Sequence, residues 1–188
     1  EMDNDVYVVA CARTGAALVV DAADDAPAIR EMLAGLSPVA VVQTHGHWDH
    51  TRAWADLAAD PGLPVWGHAG DLALYPARPD RLLADGERLA VGDLSAEVLH
   101  VPGHTDGSLL LAVDGATATW LFTGDSLFPG GPGATFDDAD RHAQLMDGLE
   151  TRVFARFPDP TRVLPGHGDG TTLGAERPHL GEWRARGW

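Results

Sequence analysis

Lysine is missing altogether. All 13 basic residues of the 188-residue chain are arginine, against 28 acidic ones, giving a formal net charge of −15. Schiff-base chemistry, which needs a lysine amine, is excluded. So is a partner that demands basic surface, whether nucleic acid or an anionic membrane. The single cysteine, Cys11, excludes an internal disulfide. Its neighbours, VVACA, read as a buried strand, with the thiol a packed small group rather than a reactive one. Long apolar runs are absent too: VAVV and LLLAV are far too short to cross a bilayer. No stretch joins a charged start to an apolar centre as a secretory signal does, so the expected location is cytoplasmic. The chain starts at Glu1 rather than at a methionine, which leaves an upstream piece open. Internal repeats and low-complexity tracts are also lacking.

The chain has 45% hydrophobic and 22% charged residues, the composition of one ordinary globular domain over residues 1–188. Strands are expected at Val6–Ala10 and Ala16–Asp21, joined by the turn Arg13-Thr14-Gly15, then at Val39–Thr44, Val65–Gly67, Arg88–Val91, Leu94–His100, Ser108–Val113, Thr119–Thr123 and Arg162–Leu164. Helices are expected at Ala26–Leu36, Asp49–Ala59 (stopped by Pro61-Gly62), briefly before Pro76, at Asp140–Phe157 and at Arg177–Arg186. The glycine- and proline-rich stretch from Asp125 to Phe136 reads as a loop. This order fits mixed sheets with helices outside better than a regular parallel alternation.

Chemistry concentrates in QTHGHWDH, residues 43–50. His45 and His47 are two apart, so on an extended strand end they point the same way and can grip one ion. Asp49 and His50 are adjacent and suit a turn into a helix, facing a second ion. Further donors stand beside glycine after later strands: His104 in VPGHTDGS, Asp125 in LFTGDS and His167 in VLPGHGD. Five imidazoles and two carboxylates are too many for one tetrahedral ion and right for two that share a carboxylate. Without thiolate the set fits zinc, iron or manganese, and an imidazole–carboxylate site is catalytic in character rather than structural.

THGHWDH, PGHTDGS, FTGDSLF and PGHG, in this order, resemble the metallo-β-lactamase superfamily, and within it the hydroxyacylglutathione hydrolase (glyoxalase II) branch. The resemblance implies an α/β fold, a four-layer αββα sandwich of two mixed β-sheets flanked by helices, with metals at one edge. It implies that His45, His47 and His104 hold a first divalent ion, that Asp49, His50 and His167 hold a second, and that Asp125 bridges both. Zinc is the first choice of metal. It further implies hydrolysis of a thioester or ester by a hydroxide bridging the ions, with Asp49 as the catalytic residue that orients it.

A mononuclear iron persulfide dioxygenase is the alternative, and a non-catalytic metal-binding module the third reading. The commonest lactamases carry cysteine where Asp125 stands, diiron flavoproteins carry glutamate in place of His47, and transfer-RNA-processing members add a basic arm. None of these matches. The suspected substrate loop is Phe128–Phe136. Glyoxalase II has a basic residue at the place of Ala134 and an aromatic at that of Phe136. Its extra C-terminal helical domain is expected to be lacking. Both departures count against glutathione thioesters and leave another thiol carrier or a smaller ester as the small-molecule partner; the oligomeric state is open. Arg52, Arg141 and Arg177 are expected to be solvated, although any could meet an acidic substrate. His68 and His100 are expected to be structural, or outer partners of the ligands. His142 and His179 are expected to be exposed. Trp48 either lines the pocket or packs under the helix, and Trp183 and Trp188 anchor the last helix.

Overall fold

The computed structural model describes residues 3–60, 62–115 and 118–187. Pro61 and Trp188, to which the sequence assigned a helix stop and an anchor, lie outside the described residues.

The first sheet has the order β1 (Tyr7–Ala10), β2 (Ala16–Val20), β3 (Ser37–Val42), β4 (Val65–His68), β5 (Arg81–Leu83). β1 and β2 form the expected antiparallel hairpin, and the steps from β2 to β5 are parallel. The second sheet runs β13 (Thr171–Thr172), β12 (Arg162–Pro165), β9 (Thr119–Gly124), β8 (Leu109–Asp114), β7 (Leu94–His100), β6 (Arg88–Val91). Only the β12–β9 step is parallel. A two-residue hairpin of β10 (Leu127–Phe128) and β11 (Gly131–Pro132) stands apart.

Strand alternation builds the layers. In β2, Leu18 and Val20 face the second sheet and pack with Val98, Leu109, Leu111 and Phe122. Ala17 and Val19 face the other way, onto α1 (Ala26–Met32) and α2 (Trp54–Ala59), through Ile29, Leu33, Trp54 and Leu57. β2 is thus buried on both faces, which is why it reads as a continuous apolar run. On the outer face of the second sheet, Leu99, Leu110 and Leu121 meet Leu145, Met146 and Leu149 of α3 (Ala139–Gly148) and its extension, and Trp183 of α5 (Leu180–Arg186). Three apolar layers therefore separate helix, sheet, sheet and helix, the αββα order expected.

The helices depart from expectation in detail. Residues 48–59 are two pieces, a 3₁₀ turn Trp48–His50 and then α2, rather than one helix from Asp49. The long helix is α only to Gly148; Leu149–Phe154 is a π segment. The last helix is preceded by a short α4 (Leu173–Glu176) and a 3₁₀ turn, Arg177–His179.

His142 is a correction. It is only 5% exposed, and its Nε2 lies 3.1 Å from the Trp183 carbonyl. Its place four residues into α3 puts it on the same stripe as Leu145, Met146 and Leu149, which faces α5. His179 is exposed and Trp183 is buried, as expected. Trp48 is 63% exposed, so it does not pack under the helix; Arg52 lies over its ring, and Trp54 is the buried indole instead. Cys11 is buried. The Thr14 hydroxyl and the Asp93 N–H draw its thiol pKa down to about 7. No helix among the described residues is long and apolar enough to cross a membrane.

Candidate metal centre

Strand direction puts the donors in one place. β2, β3 and β4 are mutually parallel, so their C-terminal ends share an edge. β9 and β12 are parallel, and β7 runs with them because two antiparallel steps separate it from β9. His45 to His50 leave β3, His104 follows β7, Asp125 follows β9 and His167 follows β12. All seven residues named from the sequence lie together in three overlapping groups: His45, His47 and His104; His45, His50 and Asp125; Asp49, His50 and His167. Within each, the donor atoms lie within 4.8 Å of one another.

Hydrogen bonds aim the lone pairs. A carbonyl can only accept, so His104 Nδ1, 2.8 Å from the Ala134 oxygen, carries the proton and leaves Nε2 bare. His50 Nδ1 donates to Asp21 Oδ2 at 3.0 Å, which bares its Nε2 in the neutral ring. The Thr44 hydroxyl donates to the same Asp21 oxygen at 2.8 Å, so it accepts from His45 Nδ1 at 3.1 Å. His45 Nε2 is then left buried without a partner, as is Asp125 Oδ1. Two ring pairs bring nitrogens nose to nose: His47 Nδ1 to His104 Nε2 at 3.0 Å, and His50 Nε2 to His167 Nε2 at 3.1 Å. Ring nitrogens and carboxylate oxygens converging at this spacing are the arrangement that a cation relieves, and imidazole with carboxylate suits zinc, iron or manganese. The residues therefore fit divalent metal.

Electrostatics divide the ring. Burial pushes His45 well below the usual imidazole range and lowers His47 and His104 as well, so these three are neutral and ready to ligate. Burial would lower His50 too, but Asp125 and Asp21 overcome it and raise it to about 10. His167 is raised by Asp125. Burial opposes ionisation of Asp125, yet His167, His50 and His45 hold its carboxyl well below the usual carboxylate range. Asp125 is therefore ionised at the centre of the cluster.

Several supporting residues were not singled out in the sequence. Asp21, at φ 62° in the left-handed region, accepts from the Thr44 N–H and hydroxyl and from His50. Gln43 Nε2 donates to the His50 carbonyl, and Gln43 Oε1 accepts from the Ala22 N–H. Asn4 Nδ2 donates to Asp49 Oδ2 at 3.1 Å, and Arg52 donates to Asn4 and to the Ala23 carbonyl. Arg52 is exposed, as expected, and also stands behind Asp49 through Asn4. Arg177 is engaged by the Phe154 and Phe157 carbonyls and by Asp159, away from the donors.

Asp71 is fully buried and takes three hydrogen bonds. Its Oδ2 accepts from the Gly46 N–H and the Thr105 hydroxyl, and its Oδ1 from the Gly107 N–H. A Cβ at Gly46 would come within 2.6 Å of Leu74 Cβ, and one at Gly107 within 2.6 Å of Asp71 Cγ, so only glycine allows this approach. Gly-Asp after a short strand was the sole signal. His68 and His100, at the ends of β4 and β7, stack at 3.9 Å and brace the same two loops. The Gly70 N–H donates to His68, and His100 Nε2 donates to the Asp106 carbonyl.

Over the first group stands Phe136, 65% exposed, its ring centroid 6.0 Å from that of His47 and 5.8 Å from that of His104. Phe136 and Asp137 both have positive φ, 58° and 61°, a strained conformation for two successive non-glycine residues. Ala134 is exposed beside it, while Phe128 stacks at 6.4 Å on His167. All three loop residues named from the sequence therefore border the donors.

Residues 2–167 match the family model of the metallo-β-lactamase superfamily. The chain is 36% identical over 167 residues to a hydroxyacylglutathione hydrolase of Rhodospirillum rubrum, covering 88% of this chain and 62% of that protein. It is 40% identical over 166 residues to one of Anaeromyxobacter dehalogenans, covering 88% and 61%. The chain thus spans less than two thirds of the length of these relatives. Among solved structures, BLEG-1, a B3 metallo-β-lactamase, superposes with a TM-score of 0.82 at 29% identity, covering 95% of this chain and 93% of that one. TTHA1623 in a di-iron-bound form gives 0.79 at 33%, covering 93% and 92%. ETHE1 from Myxococcus xanthus gives 0.83 at 28%, covering 98% and 81%. The motif order, the two sheets and the matched span lead to one conclusion: the chain belongs to the metallo-β-lactamase superfamily, whose members bind metal ions.

Proposed function

We propose that residues 1–188 form one domain that is a binuclear metal-dependent hydrolase of thioesters or esters. His45, His47 and His104 hold one ion, Asp49, His50 and His167 the other, and Asp125 joins them. The observation that carries this reading is the position of Asp125: its Oδ1 lies 3.4 Å from His50 Nε2, and its Oδ2 lies 3.7 Å from His104 Nε2 and 3.4 Å from His167 Nε2. One carboxylate therefore faces both triads, as a shared ligand must. The glutathione-hydrolase relatives support carbonyl hydrolysis. When bound, such ions supply a coordinated water acidic enough to attack at neutral pH and positive charge against the developing oxyanion.

The chain's own residues do the rest. Asp49 Oδ2 accepts from Asn4 and lies 3.5 Å from His50 Nε2 and 3.4 Å from His167 Nε2, so the carboxylate is fixed at the second triad, where it would orient the attacking water. His104 and His50 are held through Nδ1 by the Ala134 carbonyl and by Asp21, which keeps each Nε2 turned toward the other donors. Phe136 and Phe128 stand against His47 and His167 at the two ends of the cluster. Zinc is the proposed metal; the di-iron form of a 33%-identical structure keeps iron as the competitor.

Metal analysis of the purified protein is expected to find about two ions per chain. A panel of thioesters and esters, including S-lactoylglutathione, is expected to show turnover by zinc-loaded protein, and a β-lactam belongs on it because of the B3 neighbour. A single bound iron with oxygen uptake on a thiol persulfide would replace the hydrolase by a dioxygenase. No metal under any redox condition would end both readings.

A further inference from the structure

The two triads are held by different means. The first is tied from inside the fold. Buried Asp71 grips the Gly46 N–H between His45 and His47, and the Thr105 hydroxyl and Gly107 N–H beside His104. The Ala134 carbonyl takes the His104 ring. In the second triad only His50 has support of this kind, from Asp21 on its ring and Gln43 on its carbonyl. His167 is 23% exposed by side chain, and among the described residues its ring makes no hydrogen bond outside the donor cluster.

One residue joins the two remaining ligands, Asp49 and His167. Asn4 forms an isolated antiparallel bridge with His167. The Asp5 N–H donates to the Gly166 carbonyl at 2.8 Å on one side of it, and the Gly168 N–H to the Asp3 carbonyl at 3.2 Å on the other. The Asn4 side chain turns to Asp49. Its Nδ2 donates to Asp49 Oδ2 at 3.1 Å, the oxygen that lies 3.4 Å from His167 Nε2. Among the described residues, no other donor outside the cluster reaches that carboxylate. The amide has one possible orientation, since a carboxylate only accepts and the Arg52 guanidinium, 3.3 Å from Asn4 Oδ1, only donates. Arg52 is held in turn by the Ala23 carbonyl and Asp24. The bridged loop has little room to shift: a Cβ at Gly166 would collide with Asp125 Oδ1 and His50 Cε1.

We infer that Asn4 is a positioning residue for the second ion. Its backbone sets His167 and its amide sets Asp49, so the N-terminal segment closes the second triad, whereas the first is complete without it. The inference rests on the two-ion reading and adds that the ions differ in what holds their ligands. A hydrogen-bonding partner of a metal ligand is typically worth about 10–100-fold in metal affinity.

The test uses zinc as the probe. Wild type, Asn4→Leu and Tyr7→Phe are titrated with zinc against a chromophoric chelator, and both dissociation constants are read. Leucine is close to asparagine in shape and keeps the backbone bridge, but carries no amide. In Asn4→Leu the second constant is expected to rise at least about tenfold while the first stays within about twofold. Retention of the first ion also shows that the variant is folded. Tyr7→Phe removes the hydrogen bond from the Tyr7 hydroxyl to the Pro165 carbonyl, 2.7 Å, which ties the same two segments without touching Asp49. Both of its constants are expected to match the wild type. An unchanged second constant in Asn4→Leu, an equal loss of both ions, or the same weakening in Tyr7→Phe overturns the inference and leaves the two-ion reading standing. A wild type that takes up a single zinc overturns the two-ion reading, and the inference with it.

Discussion

The Asp71 carboxylate accepts the Gly46 N–H at 2.8 Å, across 25 residues of chain. Gly46 separates two of the proposed ligands, His45 and His47, and the same carboxylate reaches the loop that carries the third, His104. One buried side chain from the end of β4 thus sets the spacing of a triad whose members come from two different sheets.

Asp71→Ala leaves the buried Gly46 and Gly107 N–H groups unsatisfied at about 1–3 kcal/mol each, a large part of a typical domain's stability, while the Thr105 hydroxyl keeps Ser108 as a partner. The expected outcome is a chain that unfolds at much lower urea. Asp71→Asn keeps one acceptor and is expected to fold, with weaker metal binding at the first triad. Urea titration and metal content after competition with a chelator separate the two effects. Full metal content in Asp71→Asn would show that the clip does not set the site.

Asp125→Ala removes the carboxylate that faces both triads. Metal per chain and hydrolytic activity are expected to fall together, and the two measurements should track each other across zinc concentrations. An alanine variant that retains two ions would deny the shared-ligand role.

His68 titrates below the ordinary imidazole range because it is partly buried, and then because His100 lies stacked against it; Asp71 and Asp85 oppose the shift. A histidine with a depressed folded pKa contributes stability that is complete above the unfolded value, about 6.5, and is lost as pH falls through the folded value. The wild type minus His68→Asn difference in unfolding free energy, measured from pH 8 to pH 5, should therefore shrink below about pH 6.5. A difference that stays flat would remove His68 from this account.

Phe136 and Asp137 bear left-handed backbone in succession. Relief at Phe136 by glycine is worth ~1–2 kcal/mol, offset in part by glycine's greater freedom in the unfolded chain. Phe136→Gly is expected to gain about 0.5–1 kcal/mol in denaturant unfolding while KM for the thioester substrate rises. Asp tolerates this backbone region better, so Asp137→Gly should gain less. A destabilised Phe136→Gly would mean that the ring contributes more to folding than its exposure suggests.

The donors were legible because each lies in a local pattern: three imidazoles and a carboxylate within six residues, and later single donors flanked by glycine at strand ends. Such groups declare their chemistry by type and spacing alone. Apolar alternation likewise located most strands, since Leu18 and Val20 must face one way and Ala17 and Val19 the other. The two-residue strands of the β10–β11 hairpin stayed hidden, because two residues carry no period.

Asp21 and Asp71 looked like any of the 28 acidic residues of a strongly negative chain. What makes them special is the set of donors brought to them from 23 to 36 residues away, and no local pattern encodes that. The same holds for His142, whose burial depends on where α5 lands, and for Arg141, cancelled by an aspartate 35 residues earlier. By itself the sequence determined the ligand chemistry, because ligation depends on the side chains present. The tertiary structure alone decided their orientation and their spacing, because these depend on hydrogen bonds and ion pairs between segments distant in the chain.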